Sequence, residues 1–549
     1  MCVNCARFRG GHGRDGQHGV GADRSDLSVV ASCLDIPISR ARLLAGLGAG
    51  LAGLATGGLW RASADAAGLP YIVLIVLDGA RPEYLAAPGL PHVAGLIRHG
   101  TQYTNAFAGI LESETPSAHV SITTGSEPRL TGIPSFWWGT RKGRRVSLFS
   151  PDTVRAGEIE KIIRRSRTPT LAGMVHAQSR SAKVVALSGS KYYAADAIGG
   201  PDADVTMYFS GTSNGHYAPT YIPGHAPPSR LLNNQGLTAR TTRLPLGVEN
   251  HLAMKLAAES FRHLQQQVTL INLPEFDWPL GHVNGGIIDP SGIQTLMHGF
   301  DDDLARLQDT YRQAGVLDRT IFVLMADHGM MPLRHTVSAA IFAEAVARAG
   351  TSLVTEADSS AVYLWLTNKA RASQVARNIA ELGNPHIQAT YARVRAGNDT
   401  HYVRESFAGL PAGTDAANQY LLETFNRPNA PDVVAVLKEG VGCEPAGQAG
   451  WKADHGGTSW EAQHIPLVLA GPGIRSGHVS SYPARLIDVA PTLLEAMGAS
   501  YRGMQGIPLA DALLRASGAD AQRQRAMSRS LIPVVTALQH QSHTDLSGS

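Results

Sequence analysis

Apolar runs punctuate the chain from Leu69 onward. Tyr71–Leu77, Lys183–Leu187, Val268–Leu273, Thr320–Met325 and Ile465–Ala470 are nearly continuous in apolar residues, and each ends at a turn. A continuous run, unlike an alternating one, predicts a strand covered on both faces, as in a parallel sheet. Between them, Pro91–His99, Thr170–Ala177, Asn250–Gln266, Gly292–Ala314 and Ala490–Met497 carry helical patterns. Val205–Phe209 reads as a further strand. The alternation predicts an α/β fold with a mostly parallel central sheet.

Residues 336–450 differ in character. Ala339–Ala349 and Ala372–Leu382 read as helices, and Ser360–Leu366 and Asp432–Lys438 as strands. They predict a smaller α/β insertion, a lid or cap, that splits the core into residues 69–335 and 451–512. Residues 140–168 are basic and read as a surface loop. Residues 210–245, rich in Pro, Gly, Asn and His, read as a long loop over an active-site mouth, with His216 and His225 solvated. The segment 513–549 is polar and reads as a loose tail.

Composition narrows the classes. The chain has 549 residues, 44% of them hydrophobic, with a formal net charge of +3 and no long basic run. Nothing in this demands nucleic acid or an anionic membrane as partner. The cysteines are Cys2, Cys5, Cys33 and Cys443. Once the N-terminal region is removed, Cys443 has no internal partner for a disulfide.

Residues 1–68 read as an extension followed by an export signal. Cys2 and Cys5, with His12 and His18, have poor spacing for a zinc knuckle. Val30-Ala31-Ser32-Cys33 lacks the apolar segment that a lipoprotein box needs. Arg40 and Arg42 precede a Gly-rich apolar stretch to Trp60, and small residues follow at Ala62–Ala66. That order is an export signal of twin-arginine type, although Ala41 separates the arginines. The alternative is a membrane anchor, for which the run is short. Export to the periplasm or beyond is the expectation, with membrane contact only through an uncleaved signal. No fixed-period repeat is present, and the oligomeric state is not legible.

Acids and histidines collect where the strands end. Asp78-Gly79 follows the first strand, Asp277 and His282 follow the third, and Ala326-Asp327-His328-Gly329 follows the fourth. His455 sits in a Gly-rich loop. Open α/β sheets bind ligands at the C-terminal ends of their strands. Asp-Gly alone is an ordinary turn and a hydroxyl at a helix start an ordinary cap. Adjacent Asp and His at a strand end are harder to explain as packing, because both bring polar groups to the sheet edge. Three histidines and three carboxylates form a ligand set for two divalent ions, which roughly 4 Å apart suit in-line displacement at phosphorus. Ser113, Thr115 and Ser117 supply hydroxyls ahead of a helix closed by Thr124-Gly125.

On these residues the chain resembles the alkaline phosphatase superfamily, most closely its type I phosphodiesterase/nucleotide pyrophosphatase branch. The resemblance rests on VLDGARPEYL from Val76, ETPSAHVSITTG from Glu114, DWPLGH from Asp277, ADHGM from Ala326, DHGGTSWEAQHIPLVLAGPGI from Asp454 and IDVAPTLLEAMG from Ile487. It implies a three-layer sandwich: a mostly parallel sheet between helices, with an inserted lid. It implies that Asp78, Asp327 and His328 hold one metal with Thr115, and that Asp277, His282 and His455 hold the other. Thr115 would be the nucleophile, forming a phosphothreonine that water then releases. Zinc is the first choice for the mixed nitrogen and oxygen ligands, with manganese or iron as alternatives.

Three positions depart from the family pattern. Asp277 and His282 stand five positions apart, where four is commoner; a local bulge absorbs the extra one, or Glu275 is the ligand instead. The Asn commonly found after the Thr-Gly turn has no counterpart, and Phe136, Trp137 and Trp138 occupy that region. Lys191 or a backbone amide is then the candidate donor to a transition-state oxygen. Thr115-Pro116-Ser117-Ala118 does not fit the C/S-x-P-x-R frame of sulfatases. The expected activity is phosphodiester or pyrophosphate hydrolysis of a small-molecule substrate. The alternatives are a phosphomonoesterase or phosphonate hydrolase on the same site, or a metal-bound binding protein that lost its chemistry. A cofactor-independent mutase shares the scaffold, but export argues against it.

Overall fold

A computed structural model describes residues 68–547 apart from 398, 407–409, 412, 427–428 and 445–449. The candidate export signal and the Cys2/Cys5 pair lie outside the described residues. The centre is a nine-stranded sheet. Its strands are β1 (Tyr71–Leu77), β2 (Gly100–Tyr103), β3 (Val184–Ser188), β4 (Val205–Gly211), β5 (Tyr217–Tyr221), β6 (Val268–Leu273), β7 (Thr320–Met325), β8 (Leu467–Ala470) and β9 (His478–Ser480). They lie in the order β9-β2-β8-β7-β1-β6-β3-β4-β5.

The middle of the sheet, β7-β1-β6-β3-β4, is all parallel, while β5 and β8 run antiparallel to their neighbours. The continuous apolar runs explain this: Ile72–Leu77 are all fully buried, covered by helices on both faces. Registry brings the strand ends level. Val76 pairs with Met325 and Leu77 with Leu273, so the residues after β1, β6 and β7 emerge at one edge.

Four helices matter to that edge: α1 (Thr115–Thr124), α2 (Tyr192–Gly199), α3 (Val248–Leu264) and α4 (Pro290–Gln313). The inserted region builds its own five-stranded sheet, in the order Leu353–Asp358, Ala361–Leu366, Val433–Leu437, Ile387–Ala396, Asp399–Ser406. Ala340–Arg348 and Ala372–Glu381 pack on one face through Phe342, Val346, Val375 and Ile379.

Four local expectations need correction. The polar C-terminal segment is not loose: Gly518–Ser547 is a helix, α5, that buries Leu531, Val535 and Leu538. Its apolar residues recur at helical spacing on one stripe, and the remaining face is polar. Within 140–168, Arg145–Ser147 pairs with Trp137–Gly139, and Glu158–Ser166 is a helix that buries Ile159, Ile162 and Ile163. Within 210–245, Tyr217–Tyr221 is the edge strand β5. His225 is buried rather than solvated, with Nδ1 on the Ala203 carbonyl and Nε2 2.9 Å from Glu160 Oε1. His216 is exposed. Among the described residues no helix is long and apolar enough to cross a membrane.

Candidate active site

Each site residue stands just past the end of a strand or at the start of a helix. Asp78 follows β1, Asp327 and His328 follow β7, and Lys191 lies between β3 and α2. Thr115 is the first residue of α1, and Gly125 closes that helix with φ +56°. A Cβ at Gly125 would come within 2.9 Å of Met504 Sδ, so the helix end needs glycine for space as well as for φ.

The segment after β6 turns sharply between Asp277 and His282. Asp277–Gly281 forms a π-type turn in which His282 N donates to the Asp277 carbonyl, five residues back, at 3.0 Å. A π-turn holds one residue more than an ordinary helical turn, and this one brings His282 Nε2 to 3.1 Å from Asp277 Oδ1. Glu275 points elsewhere. Its two oxygens accept from Gly247 N at 2.8 Å and Asn250 N at 2.7 Å, at the N-terminus of α3.

Hydrogen bonds to the outer nitrogens set the histidine tautomers. His282 Nδ1 donates to the Ala453 carbonyl at 2.9 Å and its Nε2 lies 3.1 Å from Asp277 Oδ1; against burial, that carboxylate holds the imidazole above its ordinary value. His328 Nδ1 donates to the Gly329 carbonyl at 2.8 Å, leaving Nε2 at 3.6 Å from Asp78 Oδ1 and 3.5 Å from Asp327 Oδ2. His455 Nε2 lies 3.5 Å from Asp277 Oδ1, and its ring stacks on His328 with centroids 3.6 Å apart.

Histidine Nε2 atoms therefore face carboxylate oxygens at two places. Asp78 Oδ1, Asp277 Oδ1, Asp327 Oδ2 and His328 Nε2 are buried without a hydrogen-bond partner. Buried acceptors facing acceptors are costly unless a proton or a cation lies between them. Asp277, His282 and His455 are close enough to share one ion. So are Asp78, Asp277 and His328, and also Asp78, His119 and Asp327. Nitrogen and oxygen donors in these sets fit divalent ions of the zinc, manganese or iron type.

Lys191 sits between the two places. Its Nζ lies 2.6 Å from Asp277 Oδ2, 2.9 Å from Asp78 Oδ2 and 3.4 Å from Thr115 Oγ1. Each aspartate thus gives one oxygen to the ammonium and leaves the other facing a histidine. Burial disfavours the ammonium, but Asp277 and Asp78 outweigh it and hold Lys191 well above its usual range. Burial also opposes charge on Asp277, yet Lys191 and His282 hold it well below the carboxylate range. Burial, then Asp327, pushes Asp78 up to about 6 against the pull of Lys191. Burial, then His328, keeps His455 well below the ordinary imidazole value, so it stays a neutral donor.

Two polar residues behind the aspartates escaped the sequence reading. Asn272 Nδ2 donates to Asp78 Oδ2 at 2.7 Å and to His119 Nε2 at 3.0 Å, and its Oδ1 accepts from Ser188 Oγ at 2.7 Å. His119 Nδ1 donates to the Thr115 carbonyl at 2.8 Å and lies 3.3 Å from Asp327 Oδ2. With Nδ1 donating and Nε2 accepting, His119 has no lone pair left for a metal and instead orients ligands. Asn272 had a signal: it is a polar residue inside the apolar run of β6.

A parallel α/β sheet whose strand ends carry Asp/His clusters able to hold metal ions, beside a helix-borne hydroxyl, is the architecture of a metal-dependent phosphoester hydrolase. The profile of the type I phosphodiesterase/nucleotide pyrophosphatase family matches residues 72–458, and the chain belongs to that family. The fold agrees. The crystal structure of wild-type alkaline phosphatase PafA superposes with a TM-score of 0.63 at 16% identity, covering 81% of this chain and 99% of that one. Murine ectonucleotide pyrophosphatase/phosphodiesterase 5 gives 0.54 at 13% identity, covering 79% and 97%. An inactive form of the murine enzyme in complex with AMP gives 0.52 at 13% identity, covering 83% and 99%. A curated relative, arylsulfatase K of Danio rerio, is 40% identical over 42 residues, a stretch that is 8% of either chain.

Proposed function

We propose that this chain hydrolyses phosphodiesters or pyrophosphates with Thr115 as nucleophile and two divalent ions as cofactors, zinc first among the candidates. The observation that carries the reading is the pair of places where histidine Nε2 atoms face carboxylate oxygens, with Lys191 between them and Thr115 Oγ1 3.4 Å from its ammonium. Asp78, Asp327 and His328 would hold one ion near Thr115, and Asp277, His282 and His455 the other. Bound there, such ions supply Lewis-acid charge for a threonine alkoxide and for the leaving oxygen.

Thr115 Oγ1 attacks phosphorus in line with the leaving group. As the Oγ1–P bond forms, the bond to the leaving oxygen breaks; the Thr115 hydroxyl proton passes to solvent and the leaving oxygen takes one up, giving a phosphothreonine that keeps the remaining ester group, and an alcohol or phosphate. Lys191 stays an ammonium throughout and donates toward a non-bridging phosphoryl oxygen, whose charge grows in the transition state. Its position fills the role left open where Phe136, Trp137 and Trp138 replace the expected Asn. Water then attacks the phosphothreonine, restores Thr115 and releases a phosphomonoester or phosphate.

The test compares bis-p-nitrophenyl phosphate with p-nitrophenyl phosphate on zinc-loaded protein and its Thr115→Ala variant. Preference for the diester, lost in the variant, is the expected result. Preference for the monoester moves the activity to phosphatase, and turnover that survives Thr115→Ala removes the nucleophile.

A further inference from the structure

The insertion reaches into the site through one turn. Ser359 and Ser360, between the strands Leu353–Asp358 and Ala361–Leu366, are both buried. Ser360 N donates to the His455 carbonyl at 3.1 Å, and Ser360 Oγ lies 3.1 Å from that carbonyl and bonds the Gly456 carbonyl as well. The fit leaves no room for side chains on the facing loop. Gly456 and Gly457 have φ of +77° and +69°. A Cβ on the first would come within 2.7 Å of Ser359 Oγ, and one on the second within 2.7 Å of the Ser360 carbonyl.

The other half of the turn faces the loop that carries Thr115. Ser359 Oγ donates to Glu112 Oε2 at 3.3 Å, and Ser135 Oγ donates to Glu112 Oε1 at 3.3 Å. Glu112 is 2% exposed, three residues ahead of Thr115. Its carbonyl accepts from Ser117 Oγ in the first turn of α1 at 2.7 Å. The insertion holds the residue before it too: Leu111 N donates to Thr424 Oγ1 at 3.1 Å, and Tyr363 Oη reaches the Leu111 carbonyl at 3.5 Å. Burial pushes Glu112 up to about 8, so near neutral pH it is an uncharged, hydrogen-bonded strut.

Resting on the two-ion reading above, we propose that the Ser359–Ser360 turn and Glu112 are positioning residues: the insertion holds the His455 loop over one ion and the Thr115 loop toward phosphorus. The insertion is then a structural part of the site rather than a cover over it. Ser360 acts on metal retention through the backbone of His455 and Gly456. Glu112 acts on the nucleophile through the backbone ahead of α1.

The experiment uses the full chain loaded with zinc. Metal content is followed by mass spectrometry during a chelator titration of wild type and Ser360→Ala, with kcat and KM for bis-p-nitrophenyl phosphate measured in Glu112→Ala and Glu112→Gln. Ser360→Ala is expected to lose one of two ions at roughly tenfold lower chelator than wild type. Glu112→Ala is expected to keep both ions and to lose roughly tenfold in kcat with little change in KM. Glu112→Gln, a neutral group that accepts from one serine and donates to the hydroxyl oxygen of the other, should recover most of that loss, as a merely space-filling residue would not require. Wild-type metal retention in Ser360→Ala together with wild-type kcat in Glu112→Ala overturns the proposal. A wild type that holds no ion and cleaves neither ester overturns the functional reading itself, and the positioning role with it.

Discussion

Lys191 decides the charge balance at the residue scale. Asp78, Asp277 and Asp327 are buried together, and Lys191 bonds two of them directly while lying near the Thr115 hydroxyl. Lys191→Met keeps the length of the side chain and removes the cation. It should lower kcat/KM for a phosphodiester by roughly 10²–10³, the scale of losing one oriented donor to a developing oxyanion. Metal content should not fall, because the ammonium and the ions share the same carboxylates. Steady-state kinetics beside metal analysis checks this, and a variant that loses its ions in parallel with its activity contradicts it. His119 and Asn272 belong at this scale too. Asn272 bonds Asp78 Oδ2, which leaves Asp78 Oδ1 to face His328, whereas Asp327 Oδ2 faces both His119 and His328 while its Oδ1 accepts from Gly79 N.

Local pattern decided most of the core at the scale of elements, and packing decided the rest. The helix α5 shows the difference: Leu531, Val535 and Leu538 are buried, and Leu531 and Val535 join Phe107 in a small cluster. Leu531→Ala should destabilise the protein by about 2–4 kcal/mol, as cavities in well-packed cores do. Urea unfolding measures it, and a change below about 1 kcal/mol would mean that the helix is only loosely attached. Strands such as Tyr71–Leu77 were legible because every residue in them is apolar, and Asp78, Asp327 and His328 because polar groups ended those runs. The α5 stripe was not legible, since few apolar residues mark it on a long polar helix. The Glu158–Ser166 helix was masked in the same way by its arginines and glutamates. His225 looked solvated because its partner Glu160 comes from that unrecognised helix. The π-turn at Asp277 is an i to i+5 pattern that no short periodicity announces. Bonds between loops far apart in the chain, as at Glu112 and Ser359, leave no trace in local sequence.

Glu439 marks where three parts of the whole molecule meet. It leaves the inserted sheet, accepts from Ser459 Oγ and from Trp460 N at 3.0 Å, and its own N donates to Asp545 of α5 at 3.0 Å. Burial, then Glu461, pushes its carboxyl from 4.5 up to about 7. The folded state therefore keeps a proton that the unfolded chain has already released. Its contribution to stability is full below about pH 4.5 and is lost as pH rises through about 7. Glu439→Gln fixes the neutral form, so its stability relative to wild type should rise by roughly 1–3 kcal/mol between about pH 5 and pH 8. Urea unfolding at both pH values tests this, and a difference that does not change with pH contradicts it.

The central claim is that the sheet edge holds two separate divalent ions, one between Asp78, Asp327 and His328 and one between Asp277, His282 and His455. Metal content by mass spectrometry, on protein loaded with zinc and dialysed, tests it most directly in wild type, Asp327→Ala and His282→Ala. The account predicts two ions per chain in wild type and one in each variant. No retained ion in wild type, or an unchanged count in both variants, contradicts it.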